Sequence, residues 1–224
     1  SATLSLEKPL SIAYLGPEAT FSHQAALKQF GHSAVFLPQN RIDMIFSEVE
    51  QGHADYGVVP IENSIEGVVN HTLDCFVDSP LTICDERKLG ISLCLLSKKT
   101  KLDEIKVVYS HPQPLAQRRS WLTRHLPEAR QIETYSTAFA AKTAGETPDS
   151  AAISGKLAAE LYHLNILAER IEDRMDNHTR FLIIGTEKAS RAKHNKTSVM
   201  FSIRDEAGTL LKVLQLFAKR HINL

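Results

Sequence analysis

Short apolar runs of strand length alternate along the chain with segments whose apolar residues recur at helical spacing. Residues 10–15 read as a first strand, and Gly16-Pro17-Glu18-Ala19-Thr20 turns it into a helix over about 21–30, capped by Thr20 or Ser22. Residues 34–37 form a second short strand. Asn40 caps a helix that carries Ile42, Ile45, Phe46 and Val49 on one face and ends near Gly52. A third strand, 56–59, closes on Pro60-Ile61-Glu62-Asn63-Ser64, and a helix follows over about 68–77. This βαβαβα order predicts a parallel sheet with helices on its faces.

Two extended segments, 81–84 and 88–96, carry the chain into a second alternating unit. There the pattern gives a strand at 105–109, an interruption at Ser110-His111-Pro112-Gln113-Pro114, and a helix over about 115–126 with Gln117 one turn in. A strand at 131–134, a helix capped by Ser136 and Thr137 through 142, a strand at 151–153 and a helix over 155–162 complete it. Residues 167–171 lead into Asn177-His178-Thr179-Arg180-Phe181, which opens the continuous apolar run Leu182-Ile183-Ile184 ended by Gly185, a strand buried on both faces. Residues 188–196 are polar and basic and read as a linker. The tail gives a strand at 197–203, a turn at Asp205-Glu206-Ala207-Gly208, and a helix over 209–220 with Leu210, Leu214 and Phe217 on one stripe. One strand and one helix cannot bury their own apolar faces, so the tail reads as a fragment of a further unit.

With 224 residues and 43% hydrophobic content the chain can build one large or two small cores. Lys plus Arg (26) equals Asp plus Glu (26), which gives no electrostatic reason for nucleic acid or an anionic membrane as partner. No apolar stretch is long enough to span a bilayer, and residues 1–10 show no signal-peptide pattern. Cys75, Cys84 and Cys94 are odd in number, form no Cys-x-x-Cys and sit among apolar residues, as reduced thiols of a cytoplasmic protein would. His23, His32, His53, His71 and His111 do not pair at metal-ligand spacing, so no metal is expected.

In open α/β sheets ligands sit beyond the carboxyl ends of the strands. Those ends carry Thr20 and Ser22 after the first strand, Glu62, Asn63 and Ser64 after the third, then Ser110 and Gln113 with Gln117 behind, and Ser136 with Thr137. Each group stands at a helix start with small hydroxyls or amides, where free N–H groups and the helix dipole favour anions. Any one of them is an ordinary N-cap. Several around one cleft predict a small polar anion with a carboxylate toward each lobe.

Two α/β lobes joined by a crossover resemble the type II periplasmic-binding-protein architecture, with the ligand in an interlobe cleft. Leu15-Gly16-Pro17-Glu18-Ala19-Thr20-Phe21-Ser22, Val59-Pro60-Ile61-Glu62-Asn63-Ser64, Ser110-His111-Pro112-Gln113-Pro114 with Gln117, and Asn177-His178-Thr179-Arg180-Phe181 together resemble prephenate dehydratase. The four stretches occur in that family's order across 8–185. The tail is similar to the start of the ACT regulatory domain, an α+β unit, and the leading segment is similar to the junction with chorismate mutase in fused bacterial enzymes. The expected organisation is a first lobe of 8–86 and 172–187, a second of 87–171, a linker of 188–196 and a partial ACT domain of 197–224. Two departures stand out. The family usually has Gly where this chain has Ala19, and at positive φ an Ala costs about 1 kcal/mol. The ACT piece lacks the Glu-Ser-Arg-Pro effector segment, so phenylalanine control is expected to be absent.

The resemblance implies conversion of prephenate to phenylpyruvate, carbon dioxide and water without a metal or redox cofactor, in a homo-oligomer (dimer or tetramer). It gives Thr179 the catalytic role of assisting the departing ring hydroxyl. Thr20, Ser22, Asn63, Ser64, Ser110, Gln113, Gln117, Ser136, Thr137 and Arg180 are the candidate substrate contacts, and His111 and His178 are candidate proton relays. A two-lobe solute-binding protein without turnover and an arogenate dehydratase remain as alternatives. Thr179 precedes its strand whereas Gly16, Asn63 and Ser110 follow theirs, so a shared cleft requires residues 181–184 to run antiparallel to the first and third strands.

Overall fold

A computed structural model describes residues 8–171, 176–189 and 195–224. Parts of the expected first lobe (172–175) and linker (190–194), and the leading residues 1–7, lie outside the described residues. The chain divides into two compact units, 1–189 and 190–224.

The first unit contains two sheets. Its elements begin with β1 (Ser11–Leu15), α1 (Phe21–Phe30), β2 (Val35–Gln39), α2 (Ile42–Glu50), β3 (Tyr56–Asn63), β4 (Gly67–Val68), α3 (Asn70–Asp78) and β5 (Thr82–Gly90). They continue with β6 (Cys94–Ser97), β7 (Val107–Ser110), α4 (Pro112–Gln117), α5 (Arg119–His125), β8 (Arg130–Glu133), α6 (Thr137–Glu146), β9 (Ser150–Ser154), α7 (Lys156–Tyr162), β10 (Asn165–Ala168) and β11 (His178–Gly185). The first sheet has the order β2-β1-β3-β11-β5, with β4 on β3; the second has the order β10-β6-β9-β7-β8. β1 is parallel to β2 and β3, while β11 returns from the second sheet and inserts antiparallel between β3 and β5. This is the two-lobe α/β architecture expected from the sequence, including the direction of the returning strand.

Period-two alternation makes β11 a strand with two dry faces. Leu182 and Ile184 pack with Ile45, Phe46 and Val49 of α2, whereas Phe181 and Ile183 pack with Ile12, Tyr14, Ala25 and Ala26 on the α1 side. Gly57 lets α2 approach closely, because a Cβ there would stand 2.7 Å from Ile45 and 2.8 Å from Ile184. In the second sheet, small Ala138, Ala141, Ala152 and Ala158 bring α6 and α7 onto one face, and Leu115 and Leu122 cover the other. Pro60 cannot donate to the ladder, and the register irregularity between Arg180 and Phe181 falls opposite it. Beyond that irregularity Thr179 pairs with Asn63.

Several expectations are corrected. The expected lobe boundary between 86 and 87 falls inside β5, which stays paired with β11 through Gly90. The helix expected over 115–126 is two helices that break at Arg118 (φ −118°, ψ 13°), and the first already starts at Pro112, where prolines fit because first-turn N–H groups need no intrahelical partner. Arg41, not Asn40, precedes α2; it makes no side-chain cap and pairs with Asp43 instead.

In the second unit the described residues contain one helix, α8 (Thr209–Ala218), preceded by Gly208 at φ 83°. The expected strand at 197–203 forms no ladder, since no second strand among the described residues of this unit is there to accept its hydrogen bonds. Val199, Met200, Phe201, Leu210, Leu211 and Leu214 are exposed.

Candidate active site

A cleft of about 660 Å³ runs between the two sheets of the first unit. The first sheet contributes the Gly16–Pro17 turn, Thr20, Ser22, Asn63, Asn177 and Thr179; the second contributes His111, Gln113, Gln117, Ser136 and Thr137. Phe21, Ile91, Leu93 and Phe181 make the walls apolar. Among the described residues the lining carries one carboxylate, Glu66, and no Lys or Arg, so the donors they offer an anion are neutral.

Asn63 organises the first-lobe side. Its Oδ1 accepts from the backbone N–H of Ile65 (2.9 Å) and Glu66 (3.0 Å), which fixes the orientation of the amide. Its Nδ2 must then face the other way, donating to Thr179 Oγ1 at 2.8 Å and to Asn177 Oδ1 at 2.9 Å. All of the hydrogen-bonding capacity of this nearly buried amide is thereby used. A hydroxyl that accepts from an N–H cannot return its proton to that nitrogen. Among the described residues nothing else accepts the Thr179 proton, so it is available to the cleft. Asn63, a candidate substrate contact by sequence, has no donor left for substrate and instead orients Thr179.

The other candidates divide in the same way. The hydroxyl of Ser22 and the side chains of Gln113 and Thr137 line the cleft with no protein hydrogen bond among the described residues. Gln117 accepts from Arg118 through Oε1 at 2.7 Å, leaving its NH2 group as donor. Ser136 accepts from Phe139 N at 3.0 Å as the N-cap of α6 and keeps its proton. Thr20 reaches the cleft, but its one proton serves Leu15 O and Pro17 O, both at 3.0 Å, so it braces the loop.

Ser64, Ser110 and Arg180 lie outside the cleft lining. Ser64 donates to Asp176 O and accepts from His178 N, both at 3.0 Å, tying the end of β3 to β11. Ser110 is fully buried and donates to Ile153 O at 3.0 Å. Arg180 follows Thr179 on a strand and therefore takes the opposite face, 3.7 Å from both Glu62 and Glu86. His178 is also away from the lining. Ser110→Ala is accordingly expected to cost about 1 kcal/mol in urea unfolding and to leave ligand affinity and turnover unchanged.

Ala19 does adopt the left-handed conformation, at φ 67°. Its N–H donates to His23 Nδ1 at 3.1 Å, and the His23 ring stacks on Tyr14 with centroids 4.7 Å apart. Burial pushes the His23 pKa below the ordinary value; Glu18 opposes this shift and His32 adds to it. The folded state therefore binds fewer protons than the unfolded chain. The stability contributed by the neutral ring is complete above the unfolded value, about pH 6.5, and erodes as pH falls below it, by at most about 1.4 kcal/mol per unit. Urea titrations at neutral and mildly acidic pH are expected to show a shallower loss for His23→Gln than for the wild type.

Among the described residues, no three His, Cys, Asp or Glu side chains are placed to hold a metal ion, and no helix is long and apolar enough to cross a membrane.

The family model described as prephenate dehydratase matches residues 12–189. The chain belongs to the prephenate dehydratase family. It is 50% identical over 224 residues to a bifunctional chorismate mutase/prephenate dehydratase of Aquifex aeolicus, covering all of this chain and 62% of that protein. It is 39% identical to a prephenate dehydratase of Lactococcus lactis, covering 96% of this chain and 79% of the relative. Among solved structures, prephenate dehydratase from Arthrobacter aurescens in complex with L-Phe superposes with a TM-score of 0.79 at 32% identity, covering 94% of this chain and 73% of that one. The matched family region contains both sheets except Ser11, the first residue of β1, and every lining residue of the cleft.

Two contributors escape a reading of the sequence. Asn177 lines the cleft beside Thr179, and Arg118 holds Gln117. Asn177 stands in the same stretch as Thr179, two residues away on the same side of the alternation; that spacing was the available signal.

Proposed function

We propose that the chain catalyses the decarboxylating dehydration of prephenate to phenylpyruvate in phenylalanine biosynthesis. Family membership supports the reaction class, and the orientation of the Thr179 hydroxyl by Asn63 is the observation that carries the mechanism. The bond between the ring and its carboxylate breaks and releases carbon dioxide. Its electron pair enters the ring, the opposite carbon–oxygen bond breaks, and the departing oxygen takes a proton from solvent to leave as water. Hydroxide leaves poorly, so a preoriented donor at that oxygen accelerates the step. Thr179 provides that donor. Ser22, Gln113, Gln117, Ser136 and Thr137 provide neutral donors for the carboxylates, and Phe21 and Phe181 offer apolar wall to the ring.

The same reading takes the two sheets as the two dehydratase lobes and residues 197–224 as part of an ACT domain; the exposed apolar side chains of that unit are those such a domain would cover. A homo-oligomer in the cytoplasm completes it.

The test is incubation of the purified chain with prephenate at neutral pH while phenylpyruvate formation is followed, with arogenate in parallel. Phenylpyruvate from prephenate supports the proposal. Phenylalanine from arogenate alone transfers the chemistry to the amino analogue, and binding of either without turnover favours a solute-binding protein.

A further inference from the structure

We infer that Asn177 is a second donor to the departing hydroxyl, so that Thr179 and Asn177 together form a hole for the leaving oxygen. The inference rests on the dehydratase reading of the cleft.

The orientation of Asn177 follows from a chain of fixed partners. Two backbone N–H groups set the Asn63 amide, so the nitrogen of that amide faces Asn177. A donor there requires an acceptor, and the Asn177 atom 2.9 Å away is therefore Oδ1. The NH2 group of Asn177 lies on the other side of its planar amide, away from Asn63. It donates to no acceptor among the described residues, and Asn177 lines the cleft. Its main chain is held as well, its carbonyl accepting from Ile91 N at 2.8 Å. Thr179 Oγ1 and Asn177 Oδ1 share one nitrogen as donor, so the two groups are neighbours and both turn their protons away from it.

A leaving hydroxide gains negative charge and has lone pairs for more than one donor. Two neutral N–H and O–H donors fixed by one amide suit that charge and need no reorganisation as the bond breaks. In the substrate the same oxygen is a neutral hydroxyl and gains less from them, so the pair acts mainly in the transition state.

Asn177→Asp separates this role from simple bracing. One carboxylate oxygen still accepts from Asn63, whereas the other replaces the donor with an acceptor. The expected result is a folded protein, checked by its melting temperature, with kcat for prephenate lowered by about a hundredfold and the larger part of the loss in kcat rather than KM. Its kcat is expected to rise as pH falls toward the carboxyl range, about pH 4–5, because the protonated carboxyl regains an O–H donor. Asn177→Ala, which cannot recover a donor, is expected to show the loss without the acid rise. Wild-type kcat in Asn177→Asp would overturn the inference, since bracing alone survives that change; so would a loss confined to KM. If Asn177→Asp does not fold, a wild-type kcat in folded Asn177→Ala overturns it equally. No turnover of prephenate by the wild-type chain overturns the dehydratase reading, and this inference with it.

Discussion

Thr179→Ala is expected to lower turnover of prephenate by about a hundred- to a thousandfold while the Michaelis constant changes little. The hydroxyl is held by Asn63 with its proton free toward the cleft, and in the proposed reaction its bond to the departing oxygen strengthens as the carbon–oxygen bond breaks. In that proposal the cleft-lining donors Gln113, Gln117, Ser136 and Thr137 remain to hold the substrate carboxylates. Thr179→Ser keeps the hydroxyl and is expected to retain partial activity. A purely structural Thr179 predicts a stability loss of about 1–2 kcal/mol with ordinary kinetics in the folded fraction. Turnover, Michaelis constant and melting temperature of both variants distinguish the outcomes.

Asn63→Asp is expected to lower turnover by about a thousandfold although it changes one heavy atom and removes no side chain from the cleft. The carboxylate still accepts from Ile65 and Glu66, so the turn after β3 is kept and its bonds become charge-assisted. The oxygen that replaces Nδ2 is an acceptor. It attracts the Thr179 proton out of the cleft and meets Asn177 Oδ1 as a second acceptor, which is repulsive. The stability cost is about 1–3 kcal/mol, against about 4 kcal/mol for a thousandfold kinetic loss, so the kinetics are read on the folded variant. Asn63 donating directly to substrate, the role suggested by its place after β3, predicts instead a raised Michaelis constant. Steady-state kinetics of the folded variant separate the two.

Most of the succession of strands and helices along the first unit was legible in the sequence, because the apolar runs mark strands and the turns mark the switches; β4 and β10, short and at the sheet margins, were not. The direction of β11 followed from one requirement, that Thr179 reach a cleft formed by residues at the opposite ends of the other strands; the antiparallel pairing of Thr179 with Asn63 meets it. What the sequence concealed is the direction of side chains and protons. Asn63, Ser64 and Ser110 all look like ligand groups at strand ends. The backbone N–H groups of Ile65 and Glu66, the carbonyl of Asp176 and that of Ile153 occupy them, and these partners are set by loop geometry. Arg180 was drawn toward the site by its neighbour, although alternation along a strand puts the two on opposite faces. The break at Arg118 was concealed as well, since the apolar spacing from Leu115 to Leu126 suits one continuous helix.

The most direct test is a crystal structure of the chain with an unreactive prephenate analogue that keeps the ring hydroxyl. The account predicts that hydroxyl oxygen within hydrogen-bond reach of Thr179 Oγ1, about 2.5–3.0 Å, with the carboxylates toward Gln113, Gln117, Ser136 and Thr137. An analogue bound the other way round, with a carboxylate at Thr179 and the hydroxyl among the second-lobe donors, would contradict it.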